Sequence, residues 1–302
     1  MAVIALDIGG TKIKGAIISP NYKIIKSIKV PTRPTKGKRH ILSTIKSIVE
    51  TLSANSQYKL TAIGVSLAGS IDSKGRLFDL NNTMPAMQGT YIRRFFSRLT
   101  DIPVFIENDA NCFTLAECLL GKAQNNMTTI GIIWGSGVGA GMVTRQFNGK
   151  PRLYAGVDGN GLEIGHNKVF SKAYRKYVEM ERVTGGKFLP RLYKQYGGTE
   201  RLQSFEVLQG LDEASRKATA EAIEHLGYSI GLLINIFNPD RIVFGGGLSN
   251  MYESVDKRIL SAAKKYCVKQ HFENVSFSAF SLSDDEGIFG AAHLALKAHR
   301  KK

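Results

Sequence analysis

Two glycine-rich turns in this 302-residue chain have the composition of phosphate-binding turns, and a third permits flat contact with an adenine ring or ribose. Glycine lets backbone N–H groups approach a phosphate with no Cβ in the way. The first turn adds a hydroxyl, a cation and a carboxylate that could orient Mg²⁺, although it lacks the spacing of a Walker loop. The turns comprise Asp7, Gly9, Gly10, Thr11 and Lys12; Gly135, Ser136 and Gly137; and Gly245, Gly246 and Gly247. A plain hairpin turn or strand-to-helix turn is the alternative.

The segment Glu107-Asn108-Asp109 contains the strongest candidate for a catalytic base. Phosphoryl transfer to an alcohol needs a carboxylate within hydrogen-bond reach of the attacking hydroxyl. Asp109 follows a buried apolar stretch, which places it at the carboxyl end of a strand, and Asn108 can form hydrogen bonds with a polyol. The alternative is that Asp109 is the N-cap of a helix over residues 110–120.

A carboxylate and an imidazole stand three residues apart at Glu163 and His166. A sugar offers adjacent hydroxyls, which such a pair of side chains can bind. The same pair can hold a metal, but no cysteine occurs between His166 and Gly185. A buried core histidine is the alternative for His166.

The pattern of strands and helices that must position these segments occurs twice. Each half contains a strand, a glycine turn, a second strand, a helix, a strand and a further helix. This predicts an α/β fold built from a duplicated domain, with a cleft between the halves. Ligands of such folds bind at the carboxyl ends of strands, where Asp7, Gly69, Asp109, Gly135 and Gly245 fall.

The same pattern predicts where the domains begin and end. We expect an N-terminal domain over residues 1–108 and a larger domain over residues 109–287. A C-terminal helix over about residues 288–302 is expected to pack back on the first domain. Between Ser171 and Gly227 the sequence predicts mainly helix.

The chain is strongly basic, with a net charge of +16 and a pI of about 9.7. Such a charge favours either nucleic-acid binding or a basic background around a site for small anions. The basic residues are dispersed, and neither local cluster, Arg33–Arg39 or His299–Lys302, has interleaved aromatic residues. We therefore expect a solvated basic surface and no nucleic-acid partner.

Cysteine usage and hydropathy predict a cytoplasmic protein. Cys112, Cys118 and Cys267 form no C-x-x-C pair, which indicates reduced thiols. Asp7 interrupts the first apolar run, so an export signal is not expected. Apolar stretches remain shorter than the roughly 20 residues of a membrane span, so a membrane partner is not expected either.

Together the motifs resemble those of the ROK sugar kinases, a family with the actin/hexokinase-like (ribonuclease H-like) fold. The matching motifs occur in the family's order and span nearly the whole chain. They are DIGGTK (7–12), ENDANC (107–112), GSGVGAG (135–141), EIGH (163–166), FGGGLS (244–249) and GIFGAAHLA (287–295). The stretches ENDANCFTLAE, NPDRIVFGGGLSN and PAMQG are most similar to the N-acetylglucosamine kinase branch.

The resemblance implies a role for each motif. Asp109 would be the catalytic base for the sugar hydroxyl, and the glycine turns would bind ATP. The implied sugar-binding residues are Gly69, Asn82, Asn108, Asp109, Glu163, His166 and Glu181. Glu179 lies close in sequence and is the alternative to Glu181. The family's Asn-x-Pro sugar loop is off register here, because Thr83 stands two residues before Pro85 and Asn82 lies just upstream.

The chain departs from the family pattern after His166. Most members continue with a C-x-C-G-x-x-x-C segment, in which three thiolates and the histidine hold zinc. Residues 167–181 of this chain contain no cysteine. We therefore expect no structural zinc. Contacts other than metal ligation must then hold this segment in place.

The resemblance implies an enzyme that phosphorylates a hexose or N-acetylhexosamine at the 6-hydroxyl, with ATP as donor and Mg²⁺ as metal. It also implies a homodimer. Polyphosphate as the donor is one alternative, and a catalytically silent, sugar-responsive regulator is another. The presence of Asp7, Thr11 and Asp109 argues against the silent regulator.

Overall fold

The chain folds into two compact units, each with a five-stranded mixed sheet. The computed structural model describes residues 1–54, 56–78, 83–157, 160–248, 252–283 and 285–299. Unit 1 comprises Met1–Leu120, Leu153–Gly161 and Leu282–Lys302, and unit 2 comprises Gly121–Arg152 and Leu162–Ser281. Among the helices within the described ranges, none is both long enough and apolar enough to cross a membrane.

The elements follow one another in the order that the sequence predicts for most of the chain. The first are β1 (Ala2–Ile8), β2 (Lys12–Ile18), β3 (Ile24–Pro31), α1 (Gly37–Ser53), β4 (Leu60–Leu67), β5 (Ser70–Ile71), β6 (Leu77–Phe78), α2 (Ile92–Leu99), β7 (Val104–Asn108) and α3 (Asp109–Leu119). They are followed by β8 (Thr128–Trp134), β9 (Val138–Arg145), β10 (Pro151–Tyr154), β11 (Lys168–Ser171), β12 (Lys176–Glu179), α4 (Glu181–Thr184), α5 (Leu189–Gln195), α6 (Ser204–Gln209) and α7 (Glu213–Phe237). The last are β13 (Arg241–Gly245), α8 (Tyr252–Lys265), α9 (Lys269–Asn274), β14 (Ser276–Ala279) and α10 (Glu286–His299).

The sheet of unit 1 has the strand order β3-β2-β1-β4-β7. Strand β2 runs antiparallel to β1 and β3, whereas β1, β4 and β7 are parallel. The register aligns Asp7 with Ser66, and Ser66 with Glu107. The carboxyl ends of three parallel strands therefore meet at one edge of the sheet.

Strand β1 is buried on both faces, which explains its continuous apolar run. Ile4, Leu6 and Ile8 pack with helix α1 in one core cluster, and Val3 and Ala5 pack with helix α10 in another. Side chains alternate along a strand. The next residue on the α10 face is therefore a carboxylate, at position 7.

The sheet of unit 2 has the order β10-β9-β8-β13-β14 and repeats the pattern of unit 1. Its β9 runs antiparallel to β8, and β8, β13 and β14 are parallel. Ile130, Ile132 and Trp134 of β8 belong to a core cluster that includes the buried side of α7. The two sheets confirm the prediction of a duplicated α/β domain.

Three local features differ from the sequence prediction. Residues after His166 form the antiparallel hairpin β11–β12, so the prediction of mainly helix from Ser171 is wrong over its first part. Strands β10 and β14 were not predicted. Unit 1 reaches Leu120 rather than ending after residue 108, because α3 packs against α10 within that unit.

Helix α10 approaches β4 so closely that only glycine fits at position 64. A Cβ added to Gly64 would overlap the carbonyl oxygen of Ala291. We expect Gly64→Ala to lower the free energy of unfolding by about 3 kcal/mol or more, because a backbone atom must move. Gly37→Ala is the control: its φ is 83° and nothing lies within 4 Å, so only backbone strain of about 1–2 kcal/mol is expected. Denaturant unfolding of both variants measures the difference, and equal losses would contradict the packing argument.

Candidate active site

The first glycine turn connects β1 and β2 and is held by a buried threonine. The N–H of Gly9 donates to the carbonyl of Lys12 at 3.0 Å. Thr32 is fully buried, and its hydroxyl donates to the carbonyl of Gly9 at 2.6 Å. A Cβ on Gly10 would lie 3.2 Å from the carbonyl oxygen of Thr83. The turn is thus a fixed backbone cradle, and the role of Thr32 in it was not identified from the sequence.

Asp7 lies where this turn begins, on the α10 face of the sheet. The hydroxyl of Ser66 donates to Asp7 Oδ1 at 2.8 Å. A Cβ on Gly287, at the start of α10, would come within 2.5 Å of the same oxygen. The amino end of a helix favours negative charge. The carboxylate is therefore held in place, and its oxygens are the donor type that Mg²⁺ prefers.

Asn108, and not Asp109, is the N-cap of helix α3, so the cap interpretation of Asp109 is wrong. Asn108 Oδ1 accepts from the N–H groups of Ala110 and Asn111 at 2.8 and 3.3 Å. Its amide nitrogen donates to the carbonyl of Gly69 at 3.2 Å, which brings two predicted sugar-binding residues together. Because the oxygen is used by the helix, the amide nitrogen is the part of Asn108 suited to a polyol.

Asp109 is the first residue of α3 and is only partly buried. Its Oδ1 accepts from the N–H of Ala110 at 2.9 Å. The residue lies at the same sheet edge as Asp7 and the first glycine turn. The predicted sugar-binding residue Asn82 lies outside the described residues.

Glu107 forms hydrogen bonds with the start of helix α3 at this sheet edge. Its Oε1 accepts from the N–H of Asn108 at 2.9 Å and from Asn111 Nδ2 at 3.0 Å. Burial raises the pKa of Glu107, although these hydrogen bonds and the charge of Arg93 oppose the shift. The nearby thiol of Cys112 is fully buried, and burial, together with the charges of Glu107, Asp7 and Asp109, raises its pKa well above the ordinary value. Cys112 is therefore a neutral thiol, unsuited to nucleophilic chemistry.

In unit 2 the second and third glycine turns lie side by side. A Cβ on Gly135 would lie 3.7 Å from the N–H nitrogen of Gly247. Gly246 has a φ of 90°, and a Cβ there would come within 2.5 Å of the carbonyl oxygen of Trp134. The N–H of Gly186 donates to the carbonyl of Gly135 at 2.8 Å. Gly186 thus belongs to this backbone surface, although the sequence analysis assigned it no role.

The side chain of Glu181 packs against the second glycine turn. Its Oε2 accepts from the N–H of Val138 at 3.1 Å, and any side chain on Gly137 would collide with this carboxylate. A Cβ on Gly165 would lie 2.6 Å from the carbonyl oxygen of Val138. The turn, the 163–166 segment and Glu181 therefore form one packed cluster in unit 2. Sugar binding by Glu181 stays a prediction.

His166 lies in a short 3₁₀ turn over Ile164–His166 that follows Glu163. Its side chain is 40% exposed, so the alternative of a buried core histidine is wrong. Its Nδ1 lies 3.9 Å from Oε1 of Glu179, the residue weighed against Glu181. Burial alone would raise the pKa of Glu179, but Lys168, His166 and Arg182 outweigh it and lower that pKa.

Comparison with known proteins identifies the family. Residues 3–298 match the ROK family. The chain belongs to the ROK family.

Relatives of this ROK protein match along nearly the full length. It is 30% identical to an N-acetyl-D-glucosamine kinase of Vibrio parahaemolyticus, over 96% of this chain and 98% of that protein. It is 25% identical to a glucokinase of Thermotoga maritima, over 97% of each. The crystal structure of a ROK hexokinase from Thermus thermophilus matches with a TM-score of 0.82 and 27% identity, over 100% of both chains. These matches confirm the predicted family, the actin/hexokinase-like fold and the class of enzyme, a sugar kinase.

In this ROK protein the cysteine-free segment after His166 is ordered by a hairpin and a buried carboxylate. Phe170 of β11 contacts Tyr177 of β12 edge to face. At the turn of the hairpin, the N–H groups of Lys172 and Ala173 donate to Glu221 of helix α7, at 2.9 and 3.3 Å. Glu221 is the anchor that the sequence analysis did not identify. Across the described ranges, no group of three or more His, Cys, Asp or Glu side chains is arranged to hold a metal ion.

Glu221 is 6% exposed, and its charge is satisfied by donors on several elements. The hydroxyl of Tyr196 donates to Oε2 at 2.5 Å, and His225 Nε2 lies 3.7 Å from Oε1. Burial alone would raise the pKa of Glu221, but the hydrogen bonds from His225, Tyr196, Ser171 and Ala173 outweigh it and lower that pKa to about 2. Glu221 is therefore ionised throughout the physiological range.

We expect Glu221→Gln to lower the free energy of unfolding by about 1–3 kcal/mol at pH 7, because buried donors lose a charged acceptor. The ordinary pKa of 4.5 falls to about 2 on folding. The stabilisation is therefore complete above the ordinary pKa and is lost as the pH falls towards 2. Thermal unfolding at pH 7 and pH 2.5 measures this. The difference in unfolding temperature between wild type and variant should be smaller at pH 2.5 than at pH 7. Glu213→Gln, on an exposed residue of the same helix, is the control, and equal effects of the two substitutions at pH 7 would contradict the anchoring role.

The absence of cysteine after His166 predicts a protein that is purified without stoichiometric zinc. Elemental analysis of the protein, and unfolding temperatures with and without a chelator, would test this. We expect the chelator to leave the unfolding temperature unchanged, because structural zinc would otherwise contribute folding energy. About one zinc per chain, retained after mild chelation, would overturn the prediction.

Proposed function

We propose that this protein transfers the γ-phosphoryl group of ATP to the 6-hydroxyl of a hexose or N-acetylhexosamine, with Asp109 as general base. The relatives named above are an N-acetyl-D-glucosamine kinase and a glucokinase. They support both sugar classes, and the identity of the preferred sugar is left to the assay below.

The observation that carries this proposal is the shared sheet edge in unit 1. Strands β1, β4 and β7 end in register. The edge therefore combines a backbone cradle suited to phosphate, the fixed carboxylate of Asp7 and the partly exposed carboxylate of Asp109. A phosphate-binding turn next to a carboxylate base is what phosphoryl transfer to an alcohol requires.

In the proposed reaction, Asp109 is the proton acceptor. Its carboxylate accepts the proton of the 6-hydroxyl as the sugar oxygen attacks phosphorus, and the P–O bond to ADP breaks. Asn108 orients the sugar with its amide nitrogen, while its oxygen holds the start of α3. Because Asp109 is part of the first helical turn, the position of its backbone is fixed before substrate binds.

In the same proposal, the glycine turns bind the phosphoryl donor, ATP. Backbone N–H groups of Gly9 to Lys12, with the Thr11 hydroxyl and the Lys12 ammonium, suit the phosphates of ATP. The second turn and Ser136, which is exposed, have the same character in unit 2. Asp7 would hold Mg²⁺ or its waters, and the ion would neutralise charge on the triphosphate.

The test is ADP release by the purified protein with ATP and Mg²⁺ across glucose, N-acetylglucosamine, N-acetylmannosamine and fructose. We expect turnover with at least one sugar and none with its 6-deoxy analogue. Asp109→Asn should lower kcat by about 10²–10⁴ and change sugar binding only a few-fold, because the amide keeps the shape but cannot accept the proton. Asp101→Asn, an equal charge change on an exposed loop, is the control.

Two results would contradict the proposal. Near-normal turnover by Asp109→Asn would remove that residue from the base role. Sugar binding without ADP release from any sugar, and without turnover when polyphosphate replaces ATP, would favour a silent regulator.

A further inference from the structure

A basic groove lies in unit 2, on the outer side of the hairpin β11–β12 and helices α4 and α5. It encloses about 500 Å³, which is within the size range of small-molecule sites. Its floor is formed by Val178, Phe188 and Leu202, of which the first two are buried. None of the groove residues has a role in the proposed reaction.

Five cationic side chains line the groove, against a single carboxylate, that of Glu200. They are Lys176, Arg182, Arg191, Lys194 and Arg201. Arg182 lies 3.5 Å from a carboxylate oxygen of Glu179. The other four form no ion pair with any residue that the structure describes.

Two of the cations, Arg182 and Arg191, line the groove together with a phenol. Tyr174, in the hairpin turn, is partly buried and lines the same cavity. Burial raises the pKa of its phenol, while the charges of Arg191 and Arg182 oppose that shift. The two guanidinium groups line the same cavity as this hydroxyl, although they come from different helices.

We propose that this groove binds a small, multiply charged phosphate anion, either a condensed phosphate or a phosphate ester. Uncompensated cations in a concave surface focus positive potential and attract anions. Guanidinium groups form two parallel hydrogen bonds with a phosphate, and each phosphate group offers more acceptor oxygens and more charge than a single carboxylate.

The groove joins three elements that a ligand would hold together. Lys176 comes from β12, Arg182 from α4, and Arg191 from α5. A bound anion should therefore raise the unfolding temperature, by an amount that grows with the logarithm of its concentration relative to its Kd. This readout requires no turnover, so it is independent of whether the protein is a kinase.

The experiment titrates the full chain with inorganic tripolyphosphate at 0.15 M salt, followed by calorimetry and by unfolding temperature. We expect Arg191→Gln with Arg201→Gln to weaken binding about tenfold or more, since two charge-assisted contacts are lost. Arg39→Gln with Lys59→Gln removes the same charge from exposed positions of unit 1 and should change affinity less than about twofold.

Lys12→Gln separates the groove from the proposed nucleotide turn. Tripolyphosphate binding that persists in Lys12→Gln and is lost in the double arginine variant supports the groove. Binding that is lost in Lys12→Gln and unchanged in the arginine variant overturns it, as does equal weakening by the arginine variant and its charge-matched control.

The source of the phosphate is distinguished by competition. Displacement of tripolyphosphate by a hexose 6-phosphate, at concentrations where inorganic phosphate has no effect, identifies a phosphate ester as the ligand. If the ester does not compete, a condensed phosphate is the ligand. If neither compound binds the wild type, the proposal is wrong.

Discussion

The register of three parallel strands is the constraint on which the unit 1 site depends. Strands β1, β4 and β7 align Asp7, Ser66 and Glu107 across the sheet. Side chains alternate between the two faces of the sheet. A shift of one residue in the pairing of a strand would therefore move every side chain of that strand to the opposite face. The bulky aliphatic residues that pack against α1 prevent that shift, because they would otherwise meet the close-packed α10 face. The same apolar packing that stabilises the unit thus fixes which polar groups meet at the edge.

Two carboxylates, Glu107 and Glu221, show how hydrogen-bond donors oppose the effect of burial on a pKa. Glu107 accepts two hydrogen bonds, and burial remains the larger effect, so its pKa is raised. Glu221 accepts from the hairpin turn, from Tyr196 and from neighbouring side chains, and these donors outweigh burial, so its pKa is lowered. A carboxylate that loses its water on burial is stabilised in the ionised form only when enough hydrogen-bond donors replace that water. Glu221 therefore anchors as a charge, whereas burial raises the pKa of Glu107.

The sequence was sufficient to predict what depends on local pattern. The apolar run of β1 and the stripe of Ile41, Ile45, Ile48, Val49 and Leu52 on α1 are buried as their periodicities indicate. The ends of β1 and β8 were also predicted, because glycine turns follow them. The alternative of a cap at Asp109 was one residue too late, since Asn108 and Asp109 are both residue types that favour N-cap positions.

The features that the sequence did not predict depend on contacts between residues that are far apart in the chain. Strands β11 and β12 are four residues each, too short for a clear alternation. Glu221 lies 49 residues from Lys172, within a helix whose pattern gives no reason to single it out. The Thr32 that fixes the first glycine turn is likewise distant from the turn in sequence. Such partners become visible only when the fold brings the donors and acceptors together.

The anchor at Glu221 differs in kind from a metal site, and the difference has consequences for the enzyme. A zinc site holds its loop only while its thiolates are deprotonated, reduced and occupied by metal. The hydrogen bonds to Glu221 need neither metal nor reduced thiols, and the low pKa of the carboxylate keeps its charge in all but strong acid. The hairpin joins His166 to Glu181, so the segments on both sides of it depend on the same anchor. The order of the hairpin turn in this arrangement depends on one buried side chain of α7.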